Sequence, residues 1–361
     1  MRRNDLRIAV IMSGGSGRRF WPLSREGRPK QVVPIINDRS LLEVTIERLL
    51  PLFARENIWV ITRASQVRAT ERITKPYGLK ILSEPVGRNT AACIAYGTTL
   101  ARAAAGNPSM VFLPADHFIG DASCFRSALR AGLGFVERHD VILTMGIRPT
   151  RPATGFGYIR RGERRGRAGR FGIFKAEGFT EKPSLGQARR YIRSRSYLWN
   201  AGIFLFRASV MTEEMKLHLP EVAGRFAAFE KHVGGKGESA HKGRCYRTVP
   251  EISIDLGVME RTRRVCVMPA DFGWDDLGNW DSYSKYMDRD SKGNRVHGSH
   301  LGIDSEDCVV YSEKGLVATV GVKGMVVIVT EDAVLVAGRD EVEEVKNLTA
   351  MMKERGFGRL L

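Results

Sequence analysis

Short apolar runs alternate with amphipathic segments through the first 146 residues of the chain. The apolar runs have the length of buried strands and lie at 8–12, 57–62, 80–82, 110–113 and 141–146. Between them, apolar positions recur at helical spacing over 41–50, 65–75, 91–105 and 125–137, with Asn89 or Thr90 expected to cap the third helix. Strands that alternate with helices favour a parallel sheet with right-handed crossovers. The pattern therefore predicts the α/β class.

The pattern changes after about residue 155. Paired strands are predicted at 155–160 and 171–179, and the arginines and glycines of 160–170 indicate an exposed loop between them. Further along we expect helices over 184–194 and 208–229, a loop over 231–243, and strands at 203–206 and 265–269. Beyond about residue 286, short strands are predicted at 309–311, 316–320, 325–330 and 333–337, followed by a helix over 341–355. This shift predicts two domains, a larger one over 1–285 and a small β-rich one over 286–361.

The chain is strongly basic, with a formal net charge of +17 and a pI near 9.9. The arginines are scattered and no nucleic-acid-binding motif accompanies them, so a nucleic-acid partner is not expected, although the charge alone leaves one open. No apolar run approaches the roughly 18 residues of a membrane span, and Met1 to Asp5 is too polar for a signal peptide. Five widely spaced cysteines form no CxxC pair, which fits a reducing cytoplasm.

The first apolar run ends in a glycine-rich loop. Gly14, Gly15 and Gly17 are followed by Arg18 and Arg19, and a lysine, Lys30, comes eleven residues after Arg19. Such a loop can present backbone N–H groups to phosphate oxygens while fixed cations neutralise their charge. The glycines alone favour a plain β-turn with solvated basic residues. Neither a Walker A motif nor a dinucleotide fingerprint fits the spacing.

Most other polar clusters also follow predicted strands: Glu84-Pro85, Asp116-His117, Glu181-Lys182 and Asn200. Ligands of open parallel sheets bind at the carboxyl ends of the strands, so these clusters are candidates for one shared cleft. Asp116 could bind Mg²⁺, with Asp275 or Asp276 as a second carboxylate, or each could be a turn residue. His117 is expected to be structural.

Several motifs occur in the order found in one enzyme family: SGGSGRRFWPLSREGRPKQ, SEPVGRNTAA, LPADH, GYI, FTEKP, WNAGIF and FGWDDLGNW. With them the chain resembles the sugar nucleotidyltransferases, and among these the mannose-1-phosphate guanylyltransferases, over essentially its whole length. The resemblance implies a Rossmann-like, mostly parallel mixed sheet flanked by helices, with a small C-terminal β-helix-like domain. It also implies a single activity, because no segment corresponds to the isomerase domain of longer bifunctional relatives.

The resemblance implies the following site residues. Arg19, Lys30 and Lys182 would be catalytic, and Asp116 with Asp276 would hold Mg²⁺. The nucleotide would be bound by Gly14, Gly15, Gly17, Arg18, Glu84, Pro85, Asn89 and Thr90. The sugar would be bound by Gly157, Tyr158, Glu181, Asn200, Gly202 and Asp255. Arg18 stands where the family has threonine, and its side chain either contacts phosphate or points to solvent.

The implied reaction transfers GMP from GTP to mannose 1-phosphate and gives GDP-mannose and pyrophosphate. The sugar phosphate would attack the α-phosphorus in line with the leaving group, and it needs no general base because it is already ionised at neutral pH. Alternatives are the same chemistry with glucose 1-phosphate or another nucleotide, and a non-catalytic relative that only binds sugar nucleotides. A homodimer is expected.

Overall fold

A computed structural model of the chain describes residues 6–15, 17–36 and 38–361. The prediction that Met1 to Asp5 carries no signal peptide concerns residues outside these ranges. The strands are β1 Arg7–Met12, β2 Pro34–Ile36, β3 Arg39–Ser40, β4 Ile58–Arg63, β5 Lys80–Glu84, β6 Ser109–Pro114, β7 Phe118–Ile119, β8 Ile142–Ile147, β9 Tyr158–Ala168, β10 Phe171–Thr180, β11 Tyr197–Arg207, β12 Val265–Pro269, β13 Trp274–Asp275, β14 Arg295–Ile303, β15 Val309–Val320, β16 Met325–Val329 and β17 Val334–Gly338.

The α-helices lie between these strands or follow them. They are α1 Leu41–Leu49, α2 Val67–Thr74, α3 Asn89–Ala105, α4 Ala122–Val136, α5 Leu185–Ser194, α6 Ala208–His218, α7 Pro220–Glu230, α8 Glu238–Thr248, α9 Trp280–Ser284 and α10 Val345–Glu354. A single π-helical turn, Asp255–Met259, precedes β12. Within the described part of the chain, no helix combines the length and apolar character that crossing a membrane requires.

A nine-stranded sheet forms the centre of the larger unit, in the order β5-β4-β1-β6-β11-β8-β12-β10-β9. Only β10 and β11 run against the other strands, so the sheet is mixed but mostly parallel. The central strand β1 is apolar throughout because both of its faces are buried. Ile8 and Val10 pack into the core on one face of the sheet, and Ala9 and Ile11 pack into the core on the other. This architecture confirms the predicted fold class.

The second unit is a four-stranded sheet in the order β14-β15-β16-β17, whose first three strands run parallel. Parallel strands that succeed one another without helices are typical of a β-helix-like coil. A third apolar core joins this unit to the larger one. Phe20, Trp21 and Trp280 of the larger unit pack there with Tyr311 and Ile328 of the smaller unit. The boundary at residues 285 and 286 stays a prediction.

Several predicted elements were wrong. Residues 160–170 lie mostly in β9 and not in a loop, because arginines are tolerated on an exposed strand at the edge of a sheet. The strand ends at Ala168, and a turn at Gly169, with φ 55°, leads into β10. Part of the loop predicted over 231–243 belongs to α8, and Pro220 divides the helix predicted over 208–229. The two strands predicted between 309 and 320 are one, and β14 was missed because it is largely polar.

Candidate active site

A cleft lies at the carboxyl ends of β1, β4 and β6. It is open to solvent and has a volume of about 500 Å³, within the range of small-molecule sites. Its walls are formed by Gly17, Arg18, Arg19, Phe20, Lys30, Arg63, Asp116, His117, Asp276, Gly278 and Lys346. The structure therefore brings the glycine loop, Lys30 and both candidate metal-binding carboxylates together. Of the clusters that follow predicted strands, the loop and Asp116-His117 line this cleft, whereas Glu84, Glu181 and Asn200 do not.

Side chains behind the glycine loop fix its carbonyl groups. Gln31 donates from Nε2 to the carbonyl oxygens of Ser13 (3.0 Å) and Gly15 (3.3 Å). Gln66 also donates to Gly15 (3.2 Å), and Thr62 donates from its hydroxyl to Ser13 (2.9 Å). A carbonyl oxygen that is engaged behind the loop does not repel a phosphate in front of it. The loop is therefore held in a form suited to an anion.

Gly17 and Lys30 are in direct contact. Gly17 has φ 62°, and a Cβ there would stand 2.5 Å from Cβ of Lys30, so both the backbone conformation and the close approach require glycine. Lys30 is only 4% exposed. Its Nζ donates to Oδ2 of Asp116 (3.1 Å) and to the carbonyl oxygen of Asp276 (2.8 Å). The lysine thus ties the glycine loop to both carboxylate-bearing segments.

The pKa values of the two carboxyl groups are shifted in opposite directions. Burial works against the charged form of Asp116, but the Lys30 ammonium and smaller contributions from neighbouring groups together lower the pKa of this carboxyl. Burial raises the pKa of Asp276 to about 6, and the Asp275 and Asp116 carboxylates add to this while Lys30 opposes it. Asp275 is engaged elsewhere, because its Oδ1 accepts from the backbone N–H of Leu277 (2.8 Å). Of this adjacent pair, only Asp276 lines the cleft.

This donor set fits Mg²⁺. The ion prefers one or two carboxylates completed by water and phosphate oxygens, and a cation would relieve the repulsion that raises the pKa of Asp276. Among the described residues no group of three or more His, Cys, Asp and Glu side chains forms a closed metal site.

The His117 ring is hydrogen-bonded at the wall of the cleft. Trp274 donates from Nε1 to its Nδ1 (3.1 Å), and burial lowers the pKa of the imidazole to about 4. The ring is therefore neutral at pH 7, with its Nδ1 already occupied.

Arg19 and Arg18 differ in their surroundings. Nε of Arg19 lies 2.7 Å from Oε2 of Glu343, which belongs to the C-terminal unit. Arg18 is exposed at the rim of the cleft. Both arginines line the cleft beside the loop.

Glu84 lies beneath the glycine loop and is only 4% exposed. Its Oε1 accepts from the Tyr246 hydroxyl (3.0 Å), and its Oε2 lies 3.6 Å from the Cβ position of Gly14. Burial raises the pKa of Glu84 to about 7, against the opposing effects of Tyr246 and of the Arg63 guanidinium. Arg63 passes so close to Gly87 that a Cβ there would stand 2.5 Å from its Nε.

The start of α3 follows Glu84. Asn89 does not cap the helix: it is the first helical residue with φ 64°, and its Oδ1 accepts from the N–H of Thr90 (2.8 Å). The Thr90 hydroxyl instead accepts from the N–H of Ile254 (2.8 Å), which ties α3 to the segment before the π-helical turn. Pro85 and Asn89 are exposed. The capping prediction was wrong because both side chains are engaged in other hydrogen bonds.

The predicted sugar-binding residues form a second hydrogen-bonded group, centred on Asn200. Its Nδ2 donates to Oδ1 of Asp255 (3.0 Å), and its Oδ1 accepts from the Thr144 hydroxyl (2.9 Å) and the N–H of Gly202 (3.2 Å). Burial, together with the nearby Glu181 carboxylate, raises the pKa of Asp255 to about 7. A Cβ at Gly202 would stand 3.8 Å from Cε1 of His117, so this group adjoins the cleft.

Glu181, Lys182 and Gly157 lie at the edge of this group. Lys182 donates from Nζ to Oε1 of Glu181 (2.5 Å) and is otherwise exposed. A Cβ at Gly157 would stand 2.7 Å from Oε2 of Glu181. Tyr158, in contrast, is fully buried within the sheet, between β10 and β11.

Sequence reasoning missed Arg63, Tyr246, Glu343 and Lys346. Arg63 carried a usable signal, since it ends an apolar strand as Glu84 does. The other three lie on α8 or in the C-terminal unit, far along the chain from the strands they approach. Nothing in their local sequence indicates that proximity.

Comparisons with known proteins agree with this geometry. The sequence model of the family described as Nucleotidyl transferase matches residues 8–293, and that of the MannoseP isomerase/GMP-like beta-helix domain matches residues 298–351. The xanthan biosynthesis protein XanB of Xanthomonas campestris pv. campestris (strain B100) is 39% identical over 97% of this chain and 74% of its own. Mannose-1-phosphate guanylyltransferase of Escherichia coli (strain K12) is 38% identical over 96% of this chain and 73% of its own.

A solved structure extends the similarity to three dimensions. The crystal structure of mannose-1-phosphate geranyltransferase from Thermus thermophilus matches with a TM-score of 0.85 at 38% identity. The match covers 96% of this chain and 99% of that one, so it includes both units.

Proposed function

Because this chain belongs to the nucleotidyl transferase family and is an enzyme related to mannose-1-phosphate guanylyltransferases, we propose that it transfers GMP from GTP to mannose 1-phosphate. The products are GDP-mannose and pyrophosphate. The observation that carries the proposal is the Lys30 ammonium, held between Asp116 and Asp276 beside a glycine loop. A fixed cation at that position suits the charge that develops as pyrophosphate leaves.

Catalysis in this proposal is alignment and charge neutralisation. The glycine loop and Arg19 hold the triphosphate, and Lys30 neutralises its leaving half. Asp116 and Asp276 would hold Mg²⁺, which when bound supplies positive charge to the phosphate oxygens. The Asn200 group and Glu181 orient the mannose, and Lys182 binds its phosphate. No side chain needs to accept a proton, in agreement with the neutral, hydrogen-bonded His117.

The nucleotide base is assigned to Glu84, Pro85, Asn89 and Thr90, at the end of β5 and the start of α3, which lie outside the lining of the cleft itself. A carboxylate can accept hydrogen bonds from N1–H and the 2-amino group of guanine, which adenine does not offer. That selectivity requires the charged form of Glu84, so binding of GTP should strengthen as the pH rises through about 7.

A pyrophosphate-release assay tests the proposal. GTP, ATP, UTP and dTTP are each paired with mannose 1-phosphate and with glucose 1-phosphate, in the presence of Mg²⁺. The proposal expects the highest kcat/KM for GTP with mannose 1-phosphate. A preference for another nucleotide or sugar would support the reaction type and contradict the substrate assignment. If no pair released pyrophosphate, the protein would be a relative that only binds sugar nucleotides. A homodimer, a cytoplasmic location and the domain boundary at residue 286 stay predictions.

A further inference from the structure

One wall of the cleft comes from the C-terminal unit. Lys346, in the first turn of α10, lines the cleft together with Gly17, Arg18 and Arg19. Its side chain is exposed, and no carboxylate of the described residues lies within 4.0 Å of its ammonium. Lys346 is therefore a cation that a ligand in the cleft can reach.

The position of α10 is fixed. Val345 and Met352 are buried in the apolar core that the two units share, where Phe20 and Trp21 also lie. Trp21 donates from Nε1 to the carbonyl oxygen of Leu360 (2.9 Å), just after the helix. Lys346 thus belongs to a packed helix that lies beside the segment following the glycine loop.

Glu343 shows that Arg19 already pairs with an anion. Its Oε2 lies 2.7 Å from Nε of Arg19, so a phosphate oxygen that paired with this nitrogen would have to displace the carboxylate. Its Oε1 accepts from Nδ2 of Asn279 (2.6 Å). When a phosphate pairs with Arg19, the Glu343 carboxylate therefore still accepts the hydrogen bond from Asn279.

The balance of charge in the cleft indicates a role for Lys346. Of the five cations that line it among the described residues, Lys30 is paired with Asp116 and Arg19 with Glu343. The others besides Lys346 are Arg63, which lies near Glu84, and Arg18 at the rim. A nucleoside triphosphate carries more negative charge than Lys30 and Arg19 can neutralise. A further cation close to the loop would therefore stabilise the bound triphosphate and the pyrophosphate that leaves from it.

We propose that the C-terminal unit supplies part of the triphosphate site. Lys346 binds the β- and γ-phosphates, and Glu343 holds Arg19 until phosphate displaces it. The inference rests on the proposed function only in requiring a nucleoside triphosphate as substrate; the base and the sugar can be any that the assay identifies.

Lys346→Met in the full chain tests the proposal, with Lys314→Met as the matched control. Lys314 is also an exposed lysine of the C-terminal unit, outside the cleft. Pyrophosphate binding is measured by calorimetry, and the KM values for nucleotide and sugar phosphate are measured separately. Lys346→Met should weaken pyrophosphate binding and raise the nucleotide KM by about tenfold, the loss of one charge-assisted contact, with the sugar phosphate KM unchanged.

Glu343→Gln should act in the opposite direction. It frees Arg19 while its amide can still accept from Asn279, so pyrophosphate should bind about threefold more tightly. The proposal is overturned if Lys346→Met binds pyrophosphate as Lys314→Met does. Failure of the substrate assignment is distinguishable, because then GTP is not turned over while pyrophosphate binding still depends on Lys346.

Discussion

A single buried ammonium connects the candidate metal-binding carboxylates. Lys30 donates to the Asp116 side chain and to the Asp276 backbone, and its charge keeps Asp116 ionised although burial works against it. The position of Lys30 therefore depends on both aspartates, and the ionisation of Asp116 depends on Lys30. Substitutions here should therefore affect turnover more than folding.

Asp116→Asn is expected to lower kcat by at least about 100-fold, because it removes a negative charge that the proposed Mg²⁺ and Lys30 both need. The free energy of unfolding should fall by no more than about 2 kcal/mol, since asparagine still accepts from Lys30. Pyrophosphate release and urea denaturation measure the two quantities. Asp275→Asn is the control, since Asp275 bonds to Leu277 and should leave kcat within about threefold. Near-normal turnover in folded Asp116→Asn would remove Asp116 from the catalytic site.

Glu84 shows the cost of a buried charge. Its pKa is 4.5 in an exposed chain and about 7 in the fold. Well below pH 4.5 the carboxyl is protonated in both states, and well above pH 7 it is ionised in both. Between these values only the folded state keeps the proton, so stability declines as the pH rises, by about 3 kcal/mol in total.

Glu84→Gln should therefore raise the free energy of unfolding at pH 8, by up to about 3 kcal/mol, and by about 1 kcal/mol or less at pH 5. Urea denaturation at the two pH values measures the difference. The same variant should bind GTP more weakly if the carboxylate accepts from guanine. Equal stabilisation at both pH values would show that the folded-state pKa of Glu84 is not raised.

Among the elements, the glycine loop depends most on one backbone conformation. Gly17 combines a positive φ with a contact to Lys30, whereas Gly78, with φ 65°, has nothing near its Cβ position. The two glycines share the left-handed conformation and differ in what a methyl group would touch. Substituting each glycine in turn therefore distinguishes the effect of backbone strain from the effect of displacing Lys30.

Gly78→Ala should cost about 1 kcal/mol of stability and leave kcat within about twofold, because strain is its only consequence. Gly17→Ala should cost more, and it should lower kcat by at least about 100-fold because Lys30 must move. Thermal denaturation and pyrophosphate release report the two effects. If both variants kept full activity, the close packing of the loop on Lys30 would have no catalytic importance.

The same elements show what the sequence could predict. The apolar strands β1, β4, β6 and β8 were predictable because both faces of a parallel sheet's centre are buried, which leaves continuous apolar runs. Strand β14 and the arginine-rich β9 lack that signature, because they lie at sheet edges where polar residues are tolerated. The strand-end argument brought Asp116 and the loop to one cleft. It could not identify Tyr246 or Lys346, whose positions depend on how distant elements pack.

At the scale of the whole molecule, the two units share one apolar core. Trp280 is fully buried between them and donates from Nε1 to the carbonyl oxygen of Trp21 (3.2 Å). Ion pairs surround the core, such as Arg25 with Asp332 (2.8 Å) and Arg28 with Glu313 (3.2 Å). The units should therefore unfold together.

Ile328→Ala tests this coupling from the C-terminal side. Ile328 is fully buried in the shared core, and the truncation should cost about 2–4 kcal/mol. Tryptophan fluorescence and residual activity should be lost at the same, lowered urea concentration. Val310→Ala truncates a core that lies within the smaller unit, and if the units unfold together it should also lower both midpoints equally. An activity midpoint that stayed at the wild-type value would show that the larger unit is stable on its own.

The five cysteines give the molecule its own reporters of opening. All are free and buried, four of them in the larger unit and Cys308 in the smaller one. A thiol reagent can modify each of them only while its surroundings are transiently open, so the rate of modification records how often that region opens. Mass spectrometry of the labelled peptides would compare Cys308 with Cys93 in a single sample. Equal rates across the chain would mark opening as a property of the entire protein.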